Sequence, residues 1–263
     1  VFENKVIWIT GASSGIGEAL AVEFSKLGAK LILSARREDE LKRVQEICRS
    51  SGATAEILPF DLTAADFTTI TQSATQFYGT IDMLINNSGI SQRATAAETP
   101  LEIDRQIMEL NYFANIALTK SVLPTMIDKQ NGLIVVMSSL SGKYGWKQRS
   151  AYSASKFALH GFYESLQAEL VKDHIHVLIV CPGRVKTNIS FNALKSDGSK
   201  HNQMDLAQEK GIPAAICAKK IIRGIRKNKR ELIIAGKEKT LLLIRRVIPA
   251  LYYKIAANRD PNV

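Results

Sequence analysis

The chain has 263 residues, 46% of them hydrophobic, enough for a sizeable core and too many for a disordered or low-complexity protein. Its net charge is +10, yet thirteen lysines and arginines lie within 218–259 against only Glu231 and Glu238, so the rest of the chain sums to −1. Three scattered cysteines (Cys48, Cys181, Cys217) and four histidines without ligand spacing argue against a disulfide framework and against a metal centre.

No secretory signal is present and no apolar run is long enough to span a bilayer. The expectation is a cytoplasmic protein with reduced thiols whose basic end can touch a membrane surface. Short apolar runs rich in β-branched residues recur at 5–10, 31–35, 55–59, 83–86, 133–138, 177–182 and 232–235. Most lack polar alternation, as strands covered on both faces do. Stripes of helical period separate them. Ile16, Leu20, Phe24 and Leu27 line one face after the first run, with Gly28 as its stop, and Leu159, Phe162, Leu166 and Leu170 line another. Such alternation predicts an α/β fold: one domain over 1–263, a doubly wound parallel sheet of Rossmann type with helices on both faces and a basic C-terminal helical extension.

Two segments break the rhythm. The polar stretch 188–212 reads as a lid over a binding site. The segment 238–259, apolar but interrupted by Arg245, Arg246 and Pro249, reads as an amphipathic tail. Three roles stand open for it: an interfacial helix with Tyr252 and Tyr253 at lipid headgroups, a cover for the site, or a contact with a partner subunit. No nucleic-acid reader motif accompanies the charge.

Chemistry enters at Thr10-Gly-Ala-Ser-Ser-Gly-Ile-Gly17, where the first strand turns into the first helix. Gly11, Gly15 and Gly17 let backbone approach a pyrophosphate, and Ser13, Ser14 and Ile16 belong to the same helix start, whose free N–H groups favour an anion. After the second strand stand Arg36 and Arg37 rather than a carboxylate. Guanidinium groups there select NADP(H) by binding a 2′-phosphate, unless Glu38, Asp39 and Glu40 take them up. Asp61 and Leu62, ending the third strand, are placed to bond and cover an adenine, although Asp61 also resembles a helix cap.

Farther on, Tyr152 and Lys156 lie one helical turn apart in Tyr-Ser-Ala-Ser-Lys. A ketone that gains a hydride needs a proton, and a phenol can give it. A lysine beside it, and an oxidised nicotinamide, would lower its pKa from about 10. Ser139, thirteen residues before Tyr152, would hold the substrate oxygen.

As an ordered set, TGASSGIG, Asn86-Asn87-Ser88-Gly89, Asn111, Ser138-Ser139, YSASK and the PGRVKT of 182–187 resemble the short-chain dehydrogenase/reductase family. The tail looks more weakly like its membrane-associated and hydroxysteroid-acting branch. The resemblance implies a proton relay through Asn111 and Lys156, and contacts of Asn87, Ser88 and Gly89 with the cofactor. It also implies a nicotinamide framed by Pro182, Gly183, Val185 and Thr187, and a homodimer or homotetramer with the Tyr152 helix in its interface. Ser88 stands where the family usually has Ala. The expected substrate is a small, often lipophilic, carbonyl or alcohol. Arg93, Lys143, Lys147 and Arg149 near the pocket would favour an anionic one, and Tyr144 and Trp146 an apolar one. Rival readings are an NADPH-binding regulatory or scaffold protein, and a membrane-docking module without turnover.

Overall fold

The computed structural model describes residues 1–258; Arg259, the last basic residue of the tail, lies outside them. In chain order the elements are β1 (Val6–Thr10), α1 (Gly15–Ser25), β2 (Lys30–Ser34), α2 (Glu38–Ser50), β3 (Ala55–Ile57), α3 (Phe67–Tyr78) and β4 (Met83–Asn86). Then come α4 (Leu101–Met108), a π-helical turn (Glu109–Phe113), α5 (Ala114–Asp128), β5 (Gly132–Met137), α6 (Ser150–Glu169), β6 (Ile175–Pro182) and β7 (Val185–Lys186). The chain ends with α7 (Leu206–Glu209), β8 (Ile212–Pro213), α8 (Ala214–Arg226), β9 (Glu231–Ile234), α9 (Thr240–Val247) and α10 (Pro249–Asn258).

Seven of the strands form one sheet in the order β3-β2-β1-β4-β5-β6-β9, parallel throughout. This is the doubly wound α/β architecture that the strand–helix alternation predicts. Strand β1, VIWIT, is buried at every position because each face has its own cover. Ile7 and Ile9 point into the cluster with Leu20, Phe24, Leu41 and Ile221, under α1, α2 and α8. Val6 and Trp8, of opposite parity, enter the cluster with Leu118, Val122, Leu159 and Tyr163, under α5 and α6. The order reverses between β1 and β4, so the ends of those strands open the crevice in which such sheets bind ligands.

Two segments interrupt the strand–helix rhythm. The 188–212 segment is clamped at its base, since β7 pairs in parallel with β8 just beyond its other end. Along its length it docks on the body through Arg93 N–H to the Leu194 carbonyl (2.8 Å) and Leu194 N–H to that of Ser91 (2.9 Å). The tail folds into two short helices broken at Pro249. Tyr252 turns inward against Tyr144 and donates to the Gly145 carbonyl at 2.8 Å, whereas Tyr253 is 66% exposed. The two tyrosines therefore do not share a lipid-facing surface.

Candidate active site

The glycine loop is held from beneath. The Thr10 hydroxyl donates to the Ile85 carbonyl and accepts from the N–H groups of Asn87 (3.0 Å) and Ser88 (3.2 Å), tying the ends of β1 and β4 together. Asn87 Nδ2 donates to the carbonyls of Thr10 (3.1 Å) and Gly11 (3.2 Å), so its side chain shapes the turn. Gly11 has φ +63°, and a Cβ on Gly17 would lie 2.3 Å from the Gly11 carbonyl oxygen, which leaves room for no other residue. Among the described residues, no side chain caps α1 at Ser14. Its first N–H groups thus remain available to an anion, and the loop fits a pyrophosphate.

At the end of β2, Arg37 reaches back to Ser13 Oγ (3.2 Å) and Arg36 lies 3.6 Å from Asp61. The acidic residues that follow are partly spoken for by others: Glu38 pairs with Lys42 (2.8 Å) and Glu40 with Arg43 (2.8 Å). Asp61 also accepts from Thr63, whose N–H and hydroxyl, with Arg36, outweigh burial and hold its carboxyl below the usual range. Leu62 spends its side chain on the core beside Trp8.

On α6, Tyr152 and Lys156 are both buried, 8% and 4% exposed, and both line a cavity of about 190 Å³. The cavity also takes Ser139 after β5. Ile16 comes to it from the glycine loop, Asn87 and Gly89 from the end of β4, and Pro182, Gly183, Val185 and Thr187 from the end of β6. Ser139 and Ser138 divide their work. Ser139 Oγ accepts from Ser141 N–H (3.1 Å) and lies near enough to the Tyr152 phenol to lower its pKa. Ser138 turns beneath α6, donating to the Lys156 carbonyl (3.1 Å) and meeting His160 Nε2 (3.0 Å). Asn111 sits in the π-helical turn, a local register change of a kind frequent at functional sites. Its Oδ1 accepts from Ile90 N–H (2.8 Å) and its Nδ2 donates to the Ile90 carbonyl (2.9 Å) and to Ser155 Oγ (3.0 Å). A Cβ on Gly89 would fall 3.0 Å from Asn111 Oδ1 and 3.4 Å from Lys156 Nζ, so Asn111 braces the turn that faces the lysine.

The electrostatics differ from the sequence expectation. Burial raises the Tyr152 pKa; the Ser139 hydrogen bond and the charges of Arg93 and Arg149 oppose it. Lys156 is not among the groups that lower it. Its Nζ lies 5.8 Å from the Tyr152 ring centre and donates to the Met137 carbonyl (2.8 Å). Burial brings Lys156 itself down to about 8.

Sequence reasoning missed Asp205. Its side chain, 4% exposed, accepts from Arg93 Nε (3.1 Å) and from Arg149 (3.0 Å). All three groups line the cavity. Asp205 stands alone in a polar segment before one helical turn, where an aspartate reads as a cap. Lys143 and Lys147 are engaged elsewhere, with Glu231 (2.9 Å) and the Ala257 carbonyl.

Comparison with known proteins agrees with this geometry. Residues 5–197 match the family model for short chain dehydrogenases. A Dehydrogenase/reductase SDR family protein 7-like of Anopheles gambiae is 41% identical over 97% of this chain and 83% of its own. Dehydrogenase/reductase SDR family member 7B of Mus musculus is 39% identical over 97% and 81%. A short chain dehydrogenase/reductase of Burkholderia phymatum, solved in complex with NAD, superposes with TM-score 0.84 over 100% of this chain and 98% of that one, at 22% identity. The chain belongs to the short-chain dehydrogenase/reductase family of oxidoreductases, which use a nicotinamide cofactor.

Proposed function

We propose that the protein is an NADP(H)-dependent oxidoreductase that interconverts a carbonyl and an alcohol, with Tyr152 as general acid/base. The observation that carries it is the meeting of Tyr152, Lys156 and Ser139 in one cavity with the residues that follow β4 and β6, beside a helix N-terminus built for a pyrophosphate. The nicotinamide, when bound, supplies or accepts the hydride. The chain's own residues do the rest. The Ser139 hydroxyl holds the carbonyl oxygen, and the Tyr152 phenol gives it a proton as charge develops there. Burial keeps that phenol protonated, which suits reduction. Lys156, with its ammonium beside Gly89, orients the nucleotide's ribose. Arg36 and Arg37 receive a 2′-phosphate; the pairing of Glu38 and Glu40 with Lys42 and Arg43 supports this over NAD(H).

The protein works as a homodimer or homotetramer through the α6 side, where Phe113 and Phe157 are 49% and 37% exposed. The outer side of α9 and α10 leaves Leu243, Val247, Leu251 and Tyr253 exposed beside Arg246 and Lys254, and meets an anionic lipid surface. No helix among the described residues is long and apolar enough to cross the bilayer.

Tyr152→Phe tests the assignment. NADPH titration should be unchanged while reduction of every accepted carbonyl disappears; equal turnover by the two proteins would remove Tyr152 from the mechanism.

A further inference from the structure

We infer that Arg149, backed by Asp205 and Arg93, receives an oxoanion carried by the substrate, a carboxylate or a phosphate ester, while Tyr152 serves its carbonyl. The inference rests on the carbonyl-reductase reading above and adds what that site selects.

Charge is the first argument. Two guanidinium groups share one carboxylate, and the three side chains are 3%, 10% and 4% exposed for Arg93, Arg149 and Asp205. His201, 3.8 Å from Asp205, adds no anion and is held neutral by burial and by Arg93. One positive charge is left over inside the wall of a cavity, where an uncompensated charge is costly. Its cost is visible: burial and the field of Arg93 push Arg149 down to about 10 despite Asp205.

Donor count separates the two arginines. Arg93 commits Nε and both terminal nitrogens to Asp205, Ser91 Oγ and the Gln92 carbonyl. Arg149, among the described residues, spends one N–H on Asp205 (3.0 Å) and one on the Lys147 carbonyl (3.3 Å). A guanidinium carries five donors, so three N–H groups remain for a planar or tetrahedral oxoanion.

Position completes the case. Arg149 immediately precedes α6, three residues before Tyr152, and both line the cavity. Leu140, Tyr144, Trp146 and Ile189 line the same cavity and suit a carbon chain. The substrate class is therefore an amphiphile that bears a carbonyl and an anionic group.

The test is calorimetric titration of the full chain, with and without NADP⁺, using hexanoate, hexyl phosphate and hexan-1-ol as probes. At least one oxoanion should bind about ten-fold or more tightly than the alcohol, the ordinary worth of a charge-assisted hydrogen bond. The tighter of the two tells carboxylate from phosphate. Arg149→Gln should abolish that preference and Arg149→Lys restore part of it, with circular dichroism confirming that both variants fold. Equal binding of all three probes by the wild-type protein, or an undiminished preference in Arg149→Gln, overturns the inference. Absence of NADP⁺ binding or of any carbonyl turnover would instead strike the carbonyl-reductase reading, because the titrations without nucleotide still report on Arg149.

Discussion

Lys156 gives the reaction an alkaline limit that its ordinary chemistry would not. Burial brings its ammonium from the usual value near 10.5 down to about 8. Below that pH the group is charged and can hold the nucleotide; above it the proton is lost. The charged fraction is about 91% at pH 7 and about 9% at pH 9, so a step that needs it should slow about ten-fold. An unshifted lysine would remain almost fully charged over the same range. Tyr152 is shifted the opposite way, because burial raises its pKa. The assay is kcat/KM for NADPH at a saturating carbonyl, from pH 6.5 to 9.5, since that quantity reports groups on the enzyme before the nucleotide binds. A profile flat to pH 9.5 would refute the argument.

Other outcomes follow from the same structure. Asp205→Asn leaves two buried guanidinium groups without their carboxylate; at about 3–5 kcal/mol for breaking a buried pair, and about 2 °C per kcal/mol, the melting temperature should fall by about 6–10 °C. A drop below about 2 °C in scanning calorimetry would show that the cluster carries no such strain. Gly17→Ala places a methyl group 2.3 Å from the Gly11 carbonyl oxygen and should weaken NADPH about ten-fold or more, whereas Gly161→Ala, with nothing within 4 Å, should not; equal affinities would dismiss the close approach. Arg37→Glu should raise the Kd for NADPH about ten-fold or more and spare NADH, as read by nucleotide fluorescence, and parallel losses would count against 2′-phosphate recognition. Co-sedimentation with phosphatidylserine vesicles should fall with added salt and with Leu243→Asp/Val247→Asp; no binding at low salt would end the lipid proposal.

The sheet was readable because its evidence is local. Apolar runs, most of them without polar alternation, locate all seven strands of the large sheet to within a few residues, and the spacing of Tyr152 from Lys156 places both on one face of α6. What stayed hidden depends on partners far along the chain. Nothing near Asn111 announces a π-helical turn, and two-residue strands such as β7 and β8 carry no periodicity. Asp205 gains its meaning only from Arg93 and Arg149, 112 and 56 residues away. The effect of burial on Tyr152 stayed hidden for the same reason. Proximity of the lysine along the helix is sequence information, whereas burial of the phenol and the direction of Lys156 Nζ toward Met137 are products of the assembled core.

The short β7–β8 ladder has a bearing on how such a scaffold diversifies. By stapling together the two stems of the segment between them, it confines changes of length there to a closed excursion. Residues can be added at a small entropic cost without shifting β6 or α8. Selectivity can then drift by remodelling that excursion alone, while the hydride-transfer machinery beneath stays in register.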